Sequence, residues 1–205
     1  MESDVKTPGS SYRQEQATAT RVRIAEAAQR LFARDGYAAT SMDAIAKEAG
    51  VGNRTVYAAF GAKREMLNLI CERWLERADA RGRARAILGE PDPVTRVRGA
   101  ATWLTVLYST DFDVVLILDS AIDEDADTRA LLRTKLRGRN RVMDEIVASV
   151  AKDLVLPLAD AQAIYRAFAA PGVYGALVVD SGWEPERFEQ WLAGMLVTQL
   201  LGDPA

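Results

Sequence analysis

The sequence contains no histidine and only one cysteine, Cys71. A single cysteine cannot form an internal disulfide, and without histidine it leaves no ligand set typical of a zinc or iron–sulfur site. The lack of histidine also excludes Ser-His-Asp and Cys-His catalysis, because both use an imidazole as the base. An enzyme built on this chain would need carboxylates or a lysine, and we expect neither a metal nor a cofactor.

Long apolar runs are missing as well. The most apolar stretches, near residues 112–118 and 173–179, are far shorter than the roughly 20 residues that a membrane-spanning helix needs. Residues 1–19 are polar and lack the apolar core of a signal peptide, so we expect them to form a flexible arm. Together these absences predict a cytoplasmic protein with no membrane partner.

The composition that remains is that of a globular chain of 205 residues, 49% hydrophobic and 27% charged. Apolar residues recur at intervals of three and four, which predicts amphipathic helices and an all-α fold. Residues 1–89 carry 15 basic and 11 acidic side chains, whereas residues 90–205 carry 11 basic and 18 acidic ones. A basic first part favours contact with a polyanion such as nucleic acid.

Capping and breaking signals divide the chain into helices. The first is predicted from about Thr20 to Asp35, and Thr40 is the predicted N-cap of the second, which Gly50 ends. The apolar run 112–118 is assigned to a helix because no second strand is present to pair with it. Pro171 is expected to interrupt the helix that contains it. The other predicted helices cover about residues 53–60, 62–87, 93–108, 128–152, 159–180 and 185–201, with a break at 89–93.

The segment from Met42 to Phe60 meets the requirements of a helix-turn-helix. Ala46 is small where the two helices cross, and Gly50 can adopt the positive φ of the turn. Three apolar side chains fill the space between the helices, namely Ile45, Val51 and Val56. The second helix would then expose short or hydrogen-bonding groups without an acid among them, as a helix in the major groove should: Asn53, Arg54, Thr55 and Tyr57.

This arrangement resembles the DNA-binding domain of the TetR family of transcriptional regulators over Thr20 to about Ile70. The resemblance rests on the motifs LFARDGY at 31–37, TSMDAIA at 40–46, AGV at 49–51 and TVY at 55–57, followed by Phe60-Gly61, Lys63 and Glu65. It implies an arm (1–19), an N-terminal three-helix helix-turn-helix domain (20–65) and a larger helical ligand-binding and dimerisation domain (66–205).

The resemblance also implies roles for single residues. Thr40 and Lys63 match positions that contact DNA phosphates, and Thr55 and Tyr57 match backbone-contacting groups of the recognition helix. Arg54 can read a guanine with its fork or contact a phosphate, and the sequence leaves both open. Gly52, Ala58 and Ala59 depart from the residues common in the family, so no operator sequence can be transferred.

Two arginine-rich segments allow more than one interpretation. Arg13, Arg21 and Arg23 could reach a minor groove, although a disordered tail is the expectation. The run from Arg133 to Arg141 is interpreted as a solvated helix face rather than a second nucleic-acid patch, with Leu132, Leu136 and Met143 on its buried side.

The second domain offers candidates for a ligand cavity and for a dimer interface. Aromatic and flexible apolar residues on helical stripes line the cavity in this hypothesis, although each could instead belong to the core: Trp103, Leu107, Tyr108, Phe112, Met143, Phe168 and Tyr174. The last helices carry more apolar surface than one domain needs, which favours a symmetric dimer over an intramolecular pair. The predicted interface residues are Ile164, Phe168, Gly175, Val178, Phe188, Trp191 and Met195.

These expectations combine into one functional hypothesis. The chain would be a ligand-responsive regulator, a repressor that binds a palindromic double-stranded DNA operator as a homodimer and is released by a small-molecule effector. A constitutive regulator or activator without ligand is the alternative. A helical enzyme using Asp119, Asp123 or Glu124 is a remote one, because nothing in the sequence brings two carboxylates to one cleft.

Overall fold

The structure is a computed structural model that describes residues 8–202, with side chains from residue 12 onward. The regular structure in this range is helical, without a β-strand, which confirms the predicted all-α fold. The α-helices are α1 Pro8–Asp35, α2 Met42–Ala49, α3 Asn53–Phe60, α4 Lys63–Arg77, α5 Ala80–Gly89, α6 Pro93–Thr110, α7 Phe112–Ser120, α8 Ala126–Ala148, α9 Leu158–Phe168, α10 Pro171–Tyr174 and α11 Pro185–Leu201.

The predicted start of the first helix at Thr20 was wrong, because α1 already begins at Pro8. Residues 8–19 of the predicted flexible arm are therefore helical, while residues 1–7 lie outside the described range. The polar composition of residues 8–19 hid this extension, since only the following turns carry an apolar stripe. Ile24, Ala28 and Leu31 of that stripe are buried.

The helix-turn-helix has the core that the sequence predicts. Ile45, Ala46 and Val56 are buried, and Gly50 adopts φ 63° at the end of α2, where its N–H bonds to the carbonyls of Ala46 and Lys47. The N-cap of α2 is Ser41, whose hydroxyl accepts a hydrogen bond from the Ala44 N–H. The prediction that Thr40 caps this helix was wrong by one residue.

The predicted fourth helix over 62–87 is two helices. α4 ends at Arg77, and Asp79 has φ 46°, a left-handed conformation that a continuing helix cannot contain. α5 then runs to Gly89, and α6 starts at Pro93 behind the N-cap Asp92. The break predicted at 89–93 is thus present, and a second one precedes it.

The remaining helices follow the sequence pattern closely. The run 112–118 lies in α7, and Pro171 separates α9 from α10, as predicted. A 3₁₀ turn, Ala121–Asp123, and a π-helical segment, Gly175–Asp180, complete the described elements. No single described helix is long and apolar enough to cross a membrane; only α6 and the segment Phe112–Asp123 pass that test jointly, and they are bent by 83°.

Packing joins the two halves of the chain through α4. α6 packs along α11, and α8 packs against α9, to form the larger domain. α4 contacts α1 and α3 as well as α6, α7 and α8. Five of its side chains are buried, namely Met66, Leu67, Ile70, Cys71 and Trp74.

The positive φ of Gly50 generates a testable prediction. No atom lies within 4 Å of a Cβ added at this position, so Gly50→Ala changes only the backbone energy. We expect it to destabilise the fold by about 1–2 kcal/mol. Gly138→Ala is the control, because Gly138 is exposed, lies inside α8 and also has open space around it. It should stabilise the fold by about 0.5–1 kcal/mol. Urea unfolding of both variants tests the pair, and shifts of the same sign would contradict it.

Candidate functional site

The exposed face of α3 is the candidate DNA-binding surface. Val56 and Phe60 point into the core, and this orientation leaves Arg54, Thr55 and Tyr57 exposed on the opposite side. The Tyr57 side chain is 52% accessible although it is large and aromatic. None of these three side chains has a described protein partner, so their hydrogen-bonding groups are available to a ligand.

Asn53 differs from its neighbours because its side chain is engaged. Its amide nitrogen donates a 2.7 Å hydrogen bond to the Asp43 carboxylate of α2. The bond ties the start of the candidate recognition helix to the helix before it. Asn53 therefore positions α3 in this structure.

Thr40 and Lys63 hold the turn between α1 and α2. The buried Thr40 hydroxyl donates to the Gly36 carbonyl at 2.8 Å. The Lys63 ammonium donates to the Tyr37 carbonyl at 2.6 Å and lies 4.5 Å from the centre of the Tyr37 ring. Burial lowers the pKa of Lys63, while the acidic side chains of Glu124 and Asp125 act in the opposite direction. Both predicted phosphate contacts are thus occupied with intramolecular partners.

Arg21 connects the early part of α1 to the end of α3. Its guanidinium lies 4.4 Å from the centre of the Phe60 ring and donates to the Ala59 carbonyl. The expectation of a disordered tail is wrong for Arg13, Arg21 and Arg23, because all three lie in α1. Arg21 contacts the carboxyl end of the candidate recognition helix. Arg13 and Arg23 are exposed on the same helix.

A cavity of about 720 Å³ lies in the larger domain between α4, α5, α6, α7 and α8. Of the seven predicted lining residues, Trp103 and Leu107 line it, and Tyr108, Phe112, Met143, Phe168 and Tyr174 do not. The lining that the sequence analysis missed comes mainly from α4, α7 and α8, and includes Cys71, Trp74, Leu75, Val115, Leu118, Leu132, Leu136, Arg139 and Val142.

The five predicted residues that do not line the cavity pack in the neighbouring core. Tyr108, Phe112 and Tyr174 form an aromatic cluster with centroid separations of 4.8–5.7 Å. Phe168 packs edge-on against Trp191, and Met143 is fully buried. Aromatic type and helical spacing alone cannot distinguish a side chain that faces a cavity from one that fills the adjoining core.

Arg139 is the functional candidate that the sequence analysis placed on a solvated face. Its side chain lies in the cavity wall, and its Nη1 donates to the Tyr108 hydroxyl at 3.1 Å. Leu136 was assigned to the buried side and is instead 40% exposed, whereas Leu132 and Met143 are buried as predicted. Arg139 lies seven residues after Leu132 and four before Met143, a helical spacing that was visible in the sequence.

Two polar joints connect the helix-turn-helix to the larger domain. The Asp111 carboxylate accepts hydrogen bonds from Gln29 of α1 at 2.8 Å and from Arg77 of α4 at 2.7 Å. At the second joint, the Tyr37 hydroxyl lies 3.4 Å from the Thr128 hydroxyl in the first turn of α8. Arg64 pairs with Asp127 beside it at 3.2 Å.

The predicted dimer residues fall into two groups. Phe188 is fully buried and packs against Tyr174 inside its own chain, which corrects its assignment to an exposed interface. The remaining six are half-buried on α9, α11 and the π-helical segment, namely Ile164, Phe168, Gly175, Val178, Trp191 and Met195.

Comparisons with known proteins agree with this architecture. Residues 24–70 match the family model described as bacterial regulatory proteins, tetR family. The fold is similar to FadR from Bacillus subtilis in complex with stearoyl-CoA, with a TM-score of 0.72, 18% identity, and coverage of 87% of this chain and 98% of that one. It is also similar to NalD from Pseudomonas aeruginosa, the secondary repressor of the MexAB-OprM multidrug efflux pump, with a TM-score of 0.67, 20% identity, and coverage of 92% and 100%.

A third similar structure is that of a protein from Saccharomonospora viridis in complex with choline, with a TM-score of 0.71, 19% identity, and coverage of 90% and 98%. No curated protein matches the sequence. The match at 24–70 covers the helix-turn-helix and the first half of α4, which are the elements described above. Residues 24–70 thus match the model of the tetR family of bacterial regulatory proteins, and the chain as a whole shares the fold of these solved structures.

Proposed function

We propose that this protein is a ligand-responsive transcriptional repressor that binds a palindromic operator as a homodimer. The observation that carries the proposal is the position of α4, which connects the helix-turn-helix to the cavity. Lys63 at its start holds the α1–α2 turn, and Cys71, Trp74 and Leu75 near its end line the cavity. A ligand that contacts these three side chains acts on the same helix that supports the recognition helix.

Release by a ligand requires different affinities for two states of the dimer. A ligand that prefers the state with displaced recognition helices weakens operator binding, with a coupling of about 1–3 kcal/mol in typical allosteric proteins. α8 offers a second connection, because its first turn contacts Tyr37 and its middle lines the cavity. The cavity volume favours this proposal over a regulator without a ligand, whose larger domain would be filled.

At the operator, Arg54 is proposed to contact a base edge, and Thr55 and Tyr57 are proposed to contact the backbone. Thr40, Asn53 and Lys63 are proposed to act by holding α2, α3 and the turn in place. The two sets of roles differ because the first three side chains have no described hydrogen-bond partner, whereas the other three already bond within the protein. One recognition helix makes too few base contacts for operator specificity, so two related by a dyad would read half-sites about 34 Å apart or more.

Selection of bound fragments from random double-stranded DNA tests the operator proposal. We expect a palindromic motif for the wild type. Arg54→Ala should weaken binding to it by about 1–3 kcal/mol and relax the preference at one base pair. Tyr57→Phe should weaken binding equally on all sequences, because a backbone contact carries no sequence information.

The control variant is Arg141→Ala, which removes the same charge from an exposed position of α8. It should leave both affinity and preference unchanged in salt titrations. Recovery of no motif, with weak salt-sensitive binding that neither Arg54→Ala nor Tyr57→Phe affects, would contradict the proposal.

The homodimer proposal rests on the half-buried apolar residues of α9 and α11. Sedimentation of the wild type should give twice the chain mass of 22.4 kDa. Ile164→Glu and Met195→Glu should each weaken the dimer at least tenfold, since they place a charge in an apolar contact. Leu116→Glu is the control, because Leu116 is 49% exposed and lies on α7 rather than on α9 or α11. A wild type that sediments as a monomer at micromolar concentration would refute the interface.

Cys71 provides a reporter for occupation of the cavity. Burial raises the pKa of its thiol to about 11, so the reactive thiolate is scarce at pH 8 and alkylation should be slow. The rate should increase with pH up to about 11 in the folded protein. A compound that raises the thermal stability by binding in the cavity should also slow this alkylation. Compounds that stabilise the protein without protecting Cys71 would place the ligand elsewhere.

A further inference from the structure

Arg139 has a hydrogen-bonding group that no described part of the protein satisfies. Its Nε is buried and has no partner, although Nη1 donates to the Tyr108 hydroxyl and Nη2 lies 3.4 Å from the Asn140 side-chain oxygen. All of its described partners are neutral. None of the ion pairs among the described residues includes Arg139.

An arginine stays protonated at any physiological pH, so Arg139 cannot lower the cost of its buried, unpartnered N–H by losing a proton. A buried donor without an acceptor costs free energy, and proteins keep such groups mainly where they have a use. The Tyr108 hydroxyl holds the guanidinium in place and is itself fixed by a 2.6 Å hydrogen bond to the Ala169 carbonyl. Arg139 is therefore a cation whose guanidinium is held in the cavity wall by neutral partners.

The side chains around Arg139 indicate which kind of ligand the cavity can bind. The cavity wall near Arg139 on α8 also contains Leu132, Leu136 and Val142, and α7 adds Val115 and Leu118. The other basic group that α8 contributes, Lys135, is already paired with Glu72 at 3.4 Å. Four acidic residues take part in the lining, and all of them are exposed to solvent: Glu72, Glu76, Asp79 and Asp119.

We propose that the cavity binds an amphipathic organic anion, whose charged group pairs with the Arg139 guanidinium and whose apolar body lies against the side chains of α7 and α8. That this anion is the effector rests on the proposed function, and the inference adds its chemical class. A carboxylate fits this site because each Nη carries a second N–H, beyond those bonded to Tyr108 and Asn140, that can donate a charge-assisted hydrogen bond. A small inorganic anion fits poorly, since most of the wall is apolar.

Three probes with the same ten-carbon tail separate the charge from the tail: decanoate, 1-decanol and decyltrimethylammonium, each kept below its micelle concentration. Their dissociation constants are measured by calorimetry for the full-length wild type. We expect decanoate to bind at least tenfold more tightly than the alcohol and the cation. Equal binding of the three, tighter binding of the cation, or no binding of decanoate overturns the inference.

The contribution of Arg139 is measured with Arg139→Gln, and Arg141→Gln is the matched control that removes the same charge from an exposed position on α8. Arg139→Gln should weaken decanoate binding about tenfold to a hundredfold and leave 1-decanol unchanged. Arg141→Gln should change neither, and Arg139→Lys should restore only part of the preference. Equal effects of Arg139→Gln and Arg141→Gln on decanoate would overturn the assignment of the anion to Arg139.

A stability measurement distinguishes this role from a structural one. Arg139→Met keeps an unbranched chain but removes the unsatisfied donor, and the Tyr108 hydroxyl retains its bond to Ala169. Without ligand, this variant should melt at a higher temperature than the wild type, while its affinity for decanoate falls. A lower melting temperature would mean that Arg139 serves the fold, and would overturn the inference.

Operator binding in the presence of decanoate separates this inference from the proposed function. If decanoate binds through Arg139 and operator affinity stays the same, the anion site stands and the proposed regulation fails. If neutral apolar compounds bind in the cavity and release the operator independently of Arg139, the regulation stands and the anion site fails.

Discussion

Burial of one helix by two groups of helices is the constraint on which this structure depends. α4 fills the gap between α1 and α3 on one part of its length and between α6, α7 and α8 on another. Met66, Ile70 and Trp74 are buried in this packing, so a movement of either group relative to α4 changes the surroundings of its apolar side chains. The Trp74 indole adds a directional bond, since its Nε1 donates to the Leu107 carbonyl at 2.8 Å.

The polar joints restrict how that packing can change. One carboxylate oxygen of Asp111 accepts hydrogen bonds from both Gln29 and Arg77. The start of α7, α1 and the end of α4 therefore meet at this residue. Tyr37 and Thr128 join the turn before α2 to the start of α8. Glu26 of α1 also pairs with Arg73 of α4 at 3.1 Å, and α1 packs against α7, so a displacement of the helix-turn-helix would disturb several contacts together.

The sequence predicted well those features that depend on local patterns. The bounds of α3 and α11, the stop at Gly50 and the break at Pro171 follow from capping residues and spacing, which act over a few residues. The start of α1 was missed because residues 8–19 are polar and carry no apolar stripe, and the split at Asp79 was missed because no glycine or proline marks it.

The sites show the same limit. Arg54, Thr55 and Tyr57 are exposed as predicted, since exposure follows from the face of a short helix. Lys63 lies against Tyr37, a partner 26 residues away, and Arg139 turns inward through Tyr108, 31 residues away. Such pairings between distant segments are not visible in one sequence, although the spacing of Arg139 with Leu132 and Met143 was a usable signal.

The break at Asp79 has a mechanical consequence. It makes α4 a separate straight rod of 15 residues, about 22 Å long at about 1.5 Å per residue. A rod of that length pivoting at one end moves its other end by about 2 Å for each 5° of tilt, given the same rise per residue. Because Asp79 ends the rod beside the cavity wall that Trp74 and Leu75 help to form, a small displacement of that wall would be enlarged at the Lys63 end.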